Sequence, residues 1–139
     1  MKRVRRRTRF IKLASPFGPG DFKGVYVATF SGTFHTSGTG FYGFVYLDAN
    51  GNGGVTGSWE IQVPTGTITG GGLPNLHSTY SVTPQGKVEL TLASTTSSDV
   101  LSVTVFLADQ NQSILGRGGF SLGANPPLGG VGSICGRKQ

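Results

Sequence analysis

The stretch Gly40–Val63, GFYGFVYLDANGNGGVTGSWEIQV, decides the fold because it places a turn between two strand-like runs. The turn, Asp48–Gly53, consists mainly of Asp, Asn and Gly, which tolerate the positive φ angles that hairpin turns need. After it, Trp59, Ile61 and Val63 alternate with polar residues, the pattern of a strand that buries one face. We therefore predict a β-hairpin.

The strand before this turn is apolar on both faces. One face carries Phe41, Val45 and Leu47, and the other carries Tyr42, Phe44 and Tyr46. Because one core can cover only one face, the second face needs cover from a neighbouring element, an N-terminal arm or a partner. We expect Tyr42, Phe44 and Tyr46 to form a surface for another protein or for self-association.

Strand-like runs recur along the chain, at residues 24–30, 79–83, 87–92 and 100–107, with further candidates at 67–72, 114–122 and 131–135. Helical spacing of apolar residues never persists for three turns. Glycine is abundant, with 24 of 139 residues, and marks many short turns. This pattern predicts an all-β fold, a single antiparallel, up-and-down β-barrel of about eight short strands. A two-sheet β-sandwich is the alternative, since alternation alone does not separate the two.

Within the run at 114–122, the sequence Gly-Arg-Gly-Gly interrupts the strand pattern. Glycine inside a strand is typical of a bulge, of a bend at a barrel corner, or of a site where another backbone comes close. We leave these three open.

Positive charge is concentrated in an N-terminal arm. The formal net charge is +6, yet the residues after position 12 hold five basic and six acidic groups and are nearly neutral. Prolines and glycines at 15–21 indicate a linker. We divide the chain into a basic arm with a Pro/Gly linker, residues 1–21, and a β-barrel domain, residues 22–139. The cations of the arm are Lys2, Arg3, Arg5, Arg6, Arg7, Arg9 and Lys12.

Such an arm suits binding to nucleic acid or to another anionic surface, because each cation that meets a phosphate releases a counterion. The alternatives are a solvated tail and a start that differs from the natural one. No stretch has the length and apolarity of a membrane span, and residues 10–13 are too short for the apolar part of a signal peptide. The sequence leaves the localisation open.

The turn also matches half of a calcium-binding loop. Asp48, Asn50 and Asn52 present oxygens at alternate positions, as in the first half of an EF-hand. The twelfth position is Trp59, where a bidentate carboxylate is needed, and Glu60 comes one residue late. The pattern favours a turn over a metal site, and no cofactor is expected.

Catalytic signals are weak. His35 and His77 lie in Gly- and Ser-rich loops, and Cys135 is the only cysteine, so neither an internal disulfide nor a Cys/His metal cluster can form. Glu60 and Glu89 alternate with apolar residues and are expected to face solvent. An enzyme is therefore not expected. The cysteine is interpreted as a thiol without a task.

A barrel of about eight strands can hold one small apolar ligand. Phe44, Trp59 and Tyr80 are the candidate lining residues. The alternative, a core filled by the protein's own side chains, is favoured for a small barrel.

Several blocks resemble secreted bacterial β-barrel domains of the Acidobacteria-like kind, which have no assigned activity. The matching pieces are FKGVY at 22–26, LDANGNG at 47–53, STYSV at 78–82, LTL at 90–92 and the ending at 130–139. The resemblance implies a lipocalin- or avidin-like barrel and an extracytoplasmic location. Residues 50–63 also look like an avidin-type strand pair, but that family binds biotin with several tryptophans and this chain has only Trp59.

The leading hypothesis is a non-enzymatic β-barrel that works as a binding or interaction module. The alternative is a structural assembly subunit, of a coat or filament, whose basic arm contacts nucleic acid or a neighbouring subunit. A third hypothesis, a hydrolase that uses His35 or His77, requires these side chains to converge with a carboxylate.

Overall fold

A computed structural model describes residues 16–63, 66–72, 78–94, 98–123 and 128–139 of the chain. These residues form one short 3-10 turn, Pro19–Asp21, and nine β-strands. The strands are β1 (Lys23–Phe34), β2 (Gly40–Asn50), β3 (Val55–Val63), β4 (Gly66–Gly72), β5 (Thr79–Val82), β6 (Lys87–Ala93), β7 (Val100–Ala108), β8 (Ser113–Leu122) and β9 (Leu128–Lys138).

In the described part of the chain, all nine strands form one antiparallel sheet in the order β4-β3-β2-β1-β9-β8-β7-β6-β5. Every neighbour in the sheet is a neighbour in sequence, except that the first strand pairs with the last, with Tyr26 opposite Lys138 and Phe34 opposite Gly130. The sheet curls into a half-barrel. The predicted all-β, antiparallel, barrel-like fold is confirmed, with nine strands in one sheet.

The β2–β3 turn reaches the end strand β5 across the opening of the half-barrel, where Gly54 pairs with Thr79. The amide of Tyr80 donates to the carbonyl of Gly53 at 2.9 Å, and the amide of Val55 donates to the carbonyl of Ser78 at 3.3 Å. These bonds satisfy backbone groups at the start of β5 that would otherwise form an open edge.

Alternation builds the core. Along β2 the side chains alternate between buried and exposed without a break, and β6 buries Val88, Leu90 and Leu92 on its inner face. At the centre, the Phe120 ring has four aromatic neighbours, at centroid distances of 5.1 to 6.1 Å. Burying each such side chain contributes about 1.5–3 kcal/mol, so these inner residues hold the sheet in its curl.

Two glycines show why the sheet needs residues without side chains. A Cβ on Gly43 of β2 would lie 1.8 Å from the carbonyl oxygen of Glu60, and one on Gly116 of β8 would lie 2.1 Å from that of Thr104. The pairing of β8 with both its neighbours runs without a skipped residue. In the Gly-Arg-Gly-Gly segment, close backbone approach is therefore the reason for the first glycine, rather than a bulge.

The segment just before β1 is attached to one end of the half-barrel. The backbone amide of Phe17 donates to the carbonyl of Pro84 at 3.2 Å, and the side-chain amide of Asn111 donates to the Asp21 carboxylate at 3.2 Å. Phe22 is buried, stacks on Tyr26 at 4.9 Å and meets the edge of Tyr80 at 5.0 Å. This end is thus closed by aromatic side chains.

Candidate interaction surface

The outer face of β2 carries three exposed aromatic side chains, Tyr42, Phe44 and Tyr46, which we call the aromatic stripe. Their exposed fractions are 61%, 54% and 44%. The inner face of the same strand is fully used, because Phe41, Val45 and Leu47 point into the core. Successive side chains of a strand point to opposite faces, so the fold that buries the inner set exposes the stripe.

The strand next to the stripe on one side, β1, presents small residues. The register places Val27 opposite Tyr46, Thr29 opposite Phe44 and Ser31 opposite Tyr42. Directly opposed residues have Cβ atoms about 4.5–5.5 Å apart. A ridge of aromatic rings therefore runs beside a row of small side chains.

The strand on the other side, β3, presents polar residues. Ser58 lies opposite Tyr46, Glu60 opposite Phe44 and Gln62 opposite Tyr42, and all three are exposed. On the far side of β1, Arg137 of β9 lies opposite Val27 and is also exposed. The surface thus has an apolar centre with Glu60 on one flank and Arg137 on the other, while the exposed Asp48 follows Tyr46 on the outer face of β2.

A second apolar area lies on the outer face of β7 and β8. Phe106 and Leu115 lie opposite each other and are 50% and 60% exposed. Leu115 is in turn opposite Cys135, which is exposed and lies opposite Thr29. The register therefore connects this area to the aromatic stripe in one row across β7, β8, β9, β1 and β2.

Two grooves also open on the outside. One, of about 300 Å³, runs over β5, β6 and β7, and another, of about 470 Å³, runs over β7, β8 and β9. They share Ser102 and Thr104, and the second has glycines at its floor. Their charged groups are Glu89 in the first and Arg117 in the second. The polar residues of the two grooves can form hydrogen bonds, but neither groove encloses a cavity.

The three predicted barrel-lining residues do not share one location. Trp59 and Tyr80 are buried in the core, whereas Phe44 belongs to the aromatic stripe on the outside. This placement corrects the expectation for Phe44, since its parity along β2 is opposite to that of the buried Val45. The Tyr80 hydroxyl is engaged by the chain itself, at 2.8 Å from the carbonyl oxygens of Pro19 and Phe22.

Of the predicted turn Asp48–Gly53, the first three residues belong to the end of β2, and the turn itself, at residues 51–54, is held by the side chain of Asn50. Its side-chain oxygen accepts from the amides of Asn52 at 2.7 Å and Gly54 at 3.0 Å, while Gly51 and Gly53 have positive φ angles of 83° and 96°. The asparagine oxygen that a calcium site needs is thus already bonded to backbone. No group of three or more metal-ligating His, Cys, Asp or Glu side chains occurs among the described residues.

The remaining chemical candidates lie on the surface or outside the described residues. His35 is exposed just after β1, with its amide bonded to the carbonyl of Gly129 at 2.9 Å, while His77 is not among the described residues. Glu60 and Glu89 are exposed on the outer faces of β3 and β6. The described residues therefore show no histidine in a cleft with a carboxylate.

Tyr26 is a buried phenol with a shifted pKa. Burial raises the pKa of Tyr26 to about 12, and the neighbouring Tyr80 adds to the rise because two phenolates would repel each other. The Tyr26 hydroxyl donates to the carbonyl oxygen of Asn111 at 2.6 Å. This bond fastens β1 to the β7–β8 turn.

The predicted arm, including all seven of its cations, lies outside the described residues. In the part of the chain that the structure describes, no helix combines the length and apolarity required to cross a membrane.

Comparison of the chain with known protein families, with curated proteins and with solved structures found no match. The resemblance to secreted bacterial barrel domains, and the extracytoplasmic location that it implies, therefore stay predictions.

Sequence reasoning identified the aromatic stripe but not its surroundings. Which residues flank Phe44 depends on the registers of β1, β2 and β3, and the contact of β9 with β1 joins residues more than one hundred positions apart, such as Thr29 and Cys135. The Tyr26 hydroxyl bond to Asn111 was also missed, because nothing in the local sequence of either residue indicates it.

Proposed function

We propose that this protein is a non-enzymatic β-barrel interaction module that binds its partner through the aromatic stripe. The supporting observation is that Tyr42, Phe44 and Tyr46 are exposed side by side on a strand whose other face is completely buried. Burial of Trp59 and Tyr80 supports this proposal over binding of a small apolar ligand inside the barrel, since both side chains belong to the hydrophobic core.

The size of the surface supports a binding role. Aromatic side chains offer about 150–250 Å² each, so fractions of 61%, 54% and 44% leave about 300 Å² of the stripe in contact with water. Single exposed apolar residues are common on proteins, but a contiguous patch of about 300–600 Å² is often functional. Tyrosine is also enriched in interfaces, because it combines apolar area with a polar tip.

Strand propensity offers a competing explanation, since aromatic residues favour β-strands even without a partner. Threonine, another good strand former, separates the two explanations. We expect the variant Tyr42→Thr/Phe44→Thr/Tyr46→Thr to fold with a stability near that of the wild type, because the stripe lies outside the core. If this variant fails to bind the partner, the cause would then be the missing aromatic surface and not a loss of folding.

Photo-crosslinking in the producing cells tests the proposal and requires no candidate partner. Phe44 is replaced by p-benzoyl-phenylalanine, and the matched control carries the same replacement at Phe106, an exposed phenylalanine of 50% exposure on β7. We expect discrete higher-mass products from position 44, reduced when Tyr42 and Tyr46 are also changed to Thr. Absence of any product from position 44, or equal products from both positions, would refute the proposal.

A second candidate function, a structural assembly subunit, is favoured by the second apolar area at Phe106 and Leu115. A coat or filament subunit needs at least two different contact surfaces, because one self-complementary surface closes at a dimer. Light scattering at increasing protein concentration tests this candidate. Open-ended growth that is removed by Leu115→Ser supports it, and a limit at a small oligomer contradicts it.

A further inference from the structure

We infer that the partner of the aromatic stripe is a second copy of the same chain, packed about a two-fold axis that runs between β1 and β2 and parallel to them. This inference rests on the proposed function of the stripe and adds the identity of the partner. It is carried by two features of the surface, the large-beside-small arrangement of side chains and the position of the flanking charges.

Shape is the first feature. A two-fold axis parallel to the strands places each row of paired residues over the same row of the other copy. It also exchanges β1 with β2. Each aromatic residue of one copy then lies over the small residue that it neighbours in its own chain: Tyr46 over Val27, Phe44 over Thr29 and Tyr42 over Ser31. The aromatic residues of each copy therefore pack against the small residues of the other. This is the self-complementarity that a two-fold interface requires.

Charge is the second feature. The same axis exchanges β9 with β3, so Arg137 of one copy faces Ser58 of the other, with Glu60 two residues further along that strand. Two residues along a strand is about 7 Å, a distance that the long arginine side chain spans. Within the described residues, neither Glu60 nor Arg137 has an ion pair in its own chain. Symmetry produces the contact twice.

An axis perpendicular to the strands is the alternative for a face-to-face pair, and it fits poorly. It would place Phe44 over Phe44 and Tyr42 over Tyr46, so that ridge meets ridge. It would also place Glu60 over Glu60, and like charges at close range are unfavourable. The two axes therefore predict opposite responses to neutralisation of Glu60: Glu60→Gln should weaken a dimer about the parallel axis and strengthen one about the perpendicular axis.

The curvature of the sheet limits the contact. Two convex faces touch along β1 and β2 and separate towards β9 and β3, where only long side chains such as Arg137 and Glu60 bridge the gap. The stripe and its neighbours bury well under the roughly 800 Å² per partner of a standard interface, so we expect a weak, reversible dimer.

Sedimentation equilibrium from micromolar to millimolar protein tests the inference on the full chain at low salt. We expect a monomer–dimer equilibrium for the wild type. Glu60→Arg and Arg137→Glu should each raise the dissociation constant about tenfold, since rim pairs become repulsive at two places. The double variant Glu60→Arg/Arg137→Glu should restore the wild-type value, and high salt should reduce the effects of both single variants.

Arg117→Glu is the matched control, because it makes the same charge change on β8 at a position outside the proposed contact. It should leave the dissociation constant within about twofold of the wild type. Phe44→Ser should abolish the dimer, whereas Phe106→Ser should not. A wild type that stays monomeric at millimolar concentration overturns the inference, and so does a double variant as weak as the single ones.

Failure of this inference and failure of the proposed function are distinguishable by the crosslinking experiment. A product from position 44 with twice the mass of the chain supports the second copy. A product that contains another protein overturns the second copy while the stripe remains a binding surface. No product at all refutes both.

Discussion

Replacing Tyr26 with Phe removes a single hydroxyl that joins two distant parts of the chain. That hydroxyl donates to the carbonyl of Asn111 at 2.6 Å, across 85 positions of sequence. The ring itself stays in place, because it stacks on Phe22 and the substitution leaves its shape unchanged. The variant therefore isolates one hydrogen bond and one ionisable group.

At neutral pH the expected cost of Tyr26→Phe is modest. A hydrogen bond contributes about 0.5–1.5 kcal/mol net, and a partly buried acceptor left without its donor adds to the loss. We expect the free energy of unfolding to fall by about 1–2 kcal/mol. The Asn111 side-chain amide still donates to Asp21 at 3.2 Å, so the β7–β8 turn keeps one of its contacts to the N-terminal segment.

At alkaline pH the wild type should lose its stability advantage over Tyr26→Phe. The folded-state pKa of Tyr26, about 12, lies above its ordinary value of 10, so the stability it contributes is fully present below pH 10. This contribution is lost as the pH rises from 10 towards 12, because the unfolded chain ionises first. Two pKa units correspond to about 2–3 kcal/mol. The variant lacks this group and should escape that part of the loss.

Urea unfolding at pH 7, 10 and 12, followed by tryptophan fluorescence of the buried Trp59, measures both effects. We expect the wild type to be more stable at pH 7 and its advantage to vanish or reverse near pH 12. Tyr46→Phe, which removes an exposed hydroxyl, should remain within about 0.5 kcal/mol of wild type at pH 7. An equal alkaline loss in the wild type and Tyr26→Phe would refute the reasoning.

Three further substitutions test the core, the sheet and the turn, each by chemical denaturation. Phe120→Ala should cost about 3–5 kcal/mol, because it removes the ring at the centre of the aromatic cluster. Gly116→Ala should destabilise severely, since its Cβ would lie 2.1 Å from the Thr104 carbonyl, whereas Gly119→Ala, with its nearest atom at 3.4 Å, should be nearly neutral. Asn50→Ala should cost about 1–2 kcal/mol, because two backbone amides lose their acceptor. A stability equal to that of the wild type for Phe120→Ala or Asn50→Ala, or equal stabilities of the two glycine variants, would contradict the reason given for that substitution.

Local patterns in the sequence were sufficient to predict the strands. Alternation around Trp59 and around Leu90 correctly predicted which side chains are buried, because a strand with one buried face must alternate with a period of two. The residues of the turn at Asn50 likewise indicated positive φ angles, which Gly51 and Gly53 adopt. Each of these features is decided within a few residues.

Relations between strands could not be predicted in the same way. The pairing of β1 with β9 closes the meander through residues at opposite ends of the chain, and the register follows from packing of the whole core. Phe44 illustrates the limit, because an aromatic residue in an apolar run suits the interior and the surface equally well. Only the parity of β2 relative to the core shows that it lies outside.

The outer surface of the half-barrel is not uniformly apolar, and this contrast bears on the role of the stripe. On β3 the outward residues are Ser58, Glu60 and Gln62, so outward positions of this sheet accept polar residues without harm to the fold. Exposed aromatic residues on the adjacent strand form an apolar patch that favours association, which is a disadvantage for a protein that works as a monomer. A partner that covers the stripe would account for the exposed aromatic residues of β2. The small residues of β1 beside the stripe leave room for the side chains of such a partner.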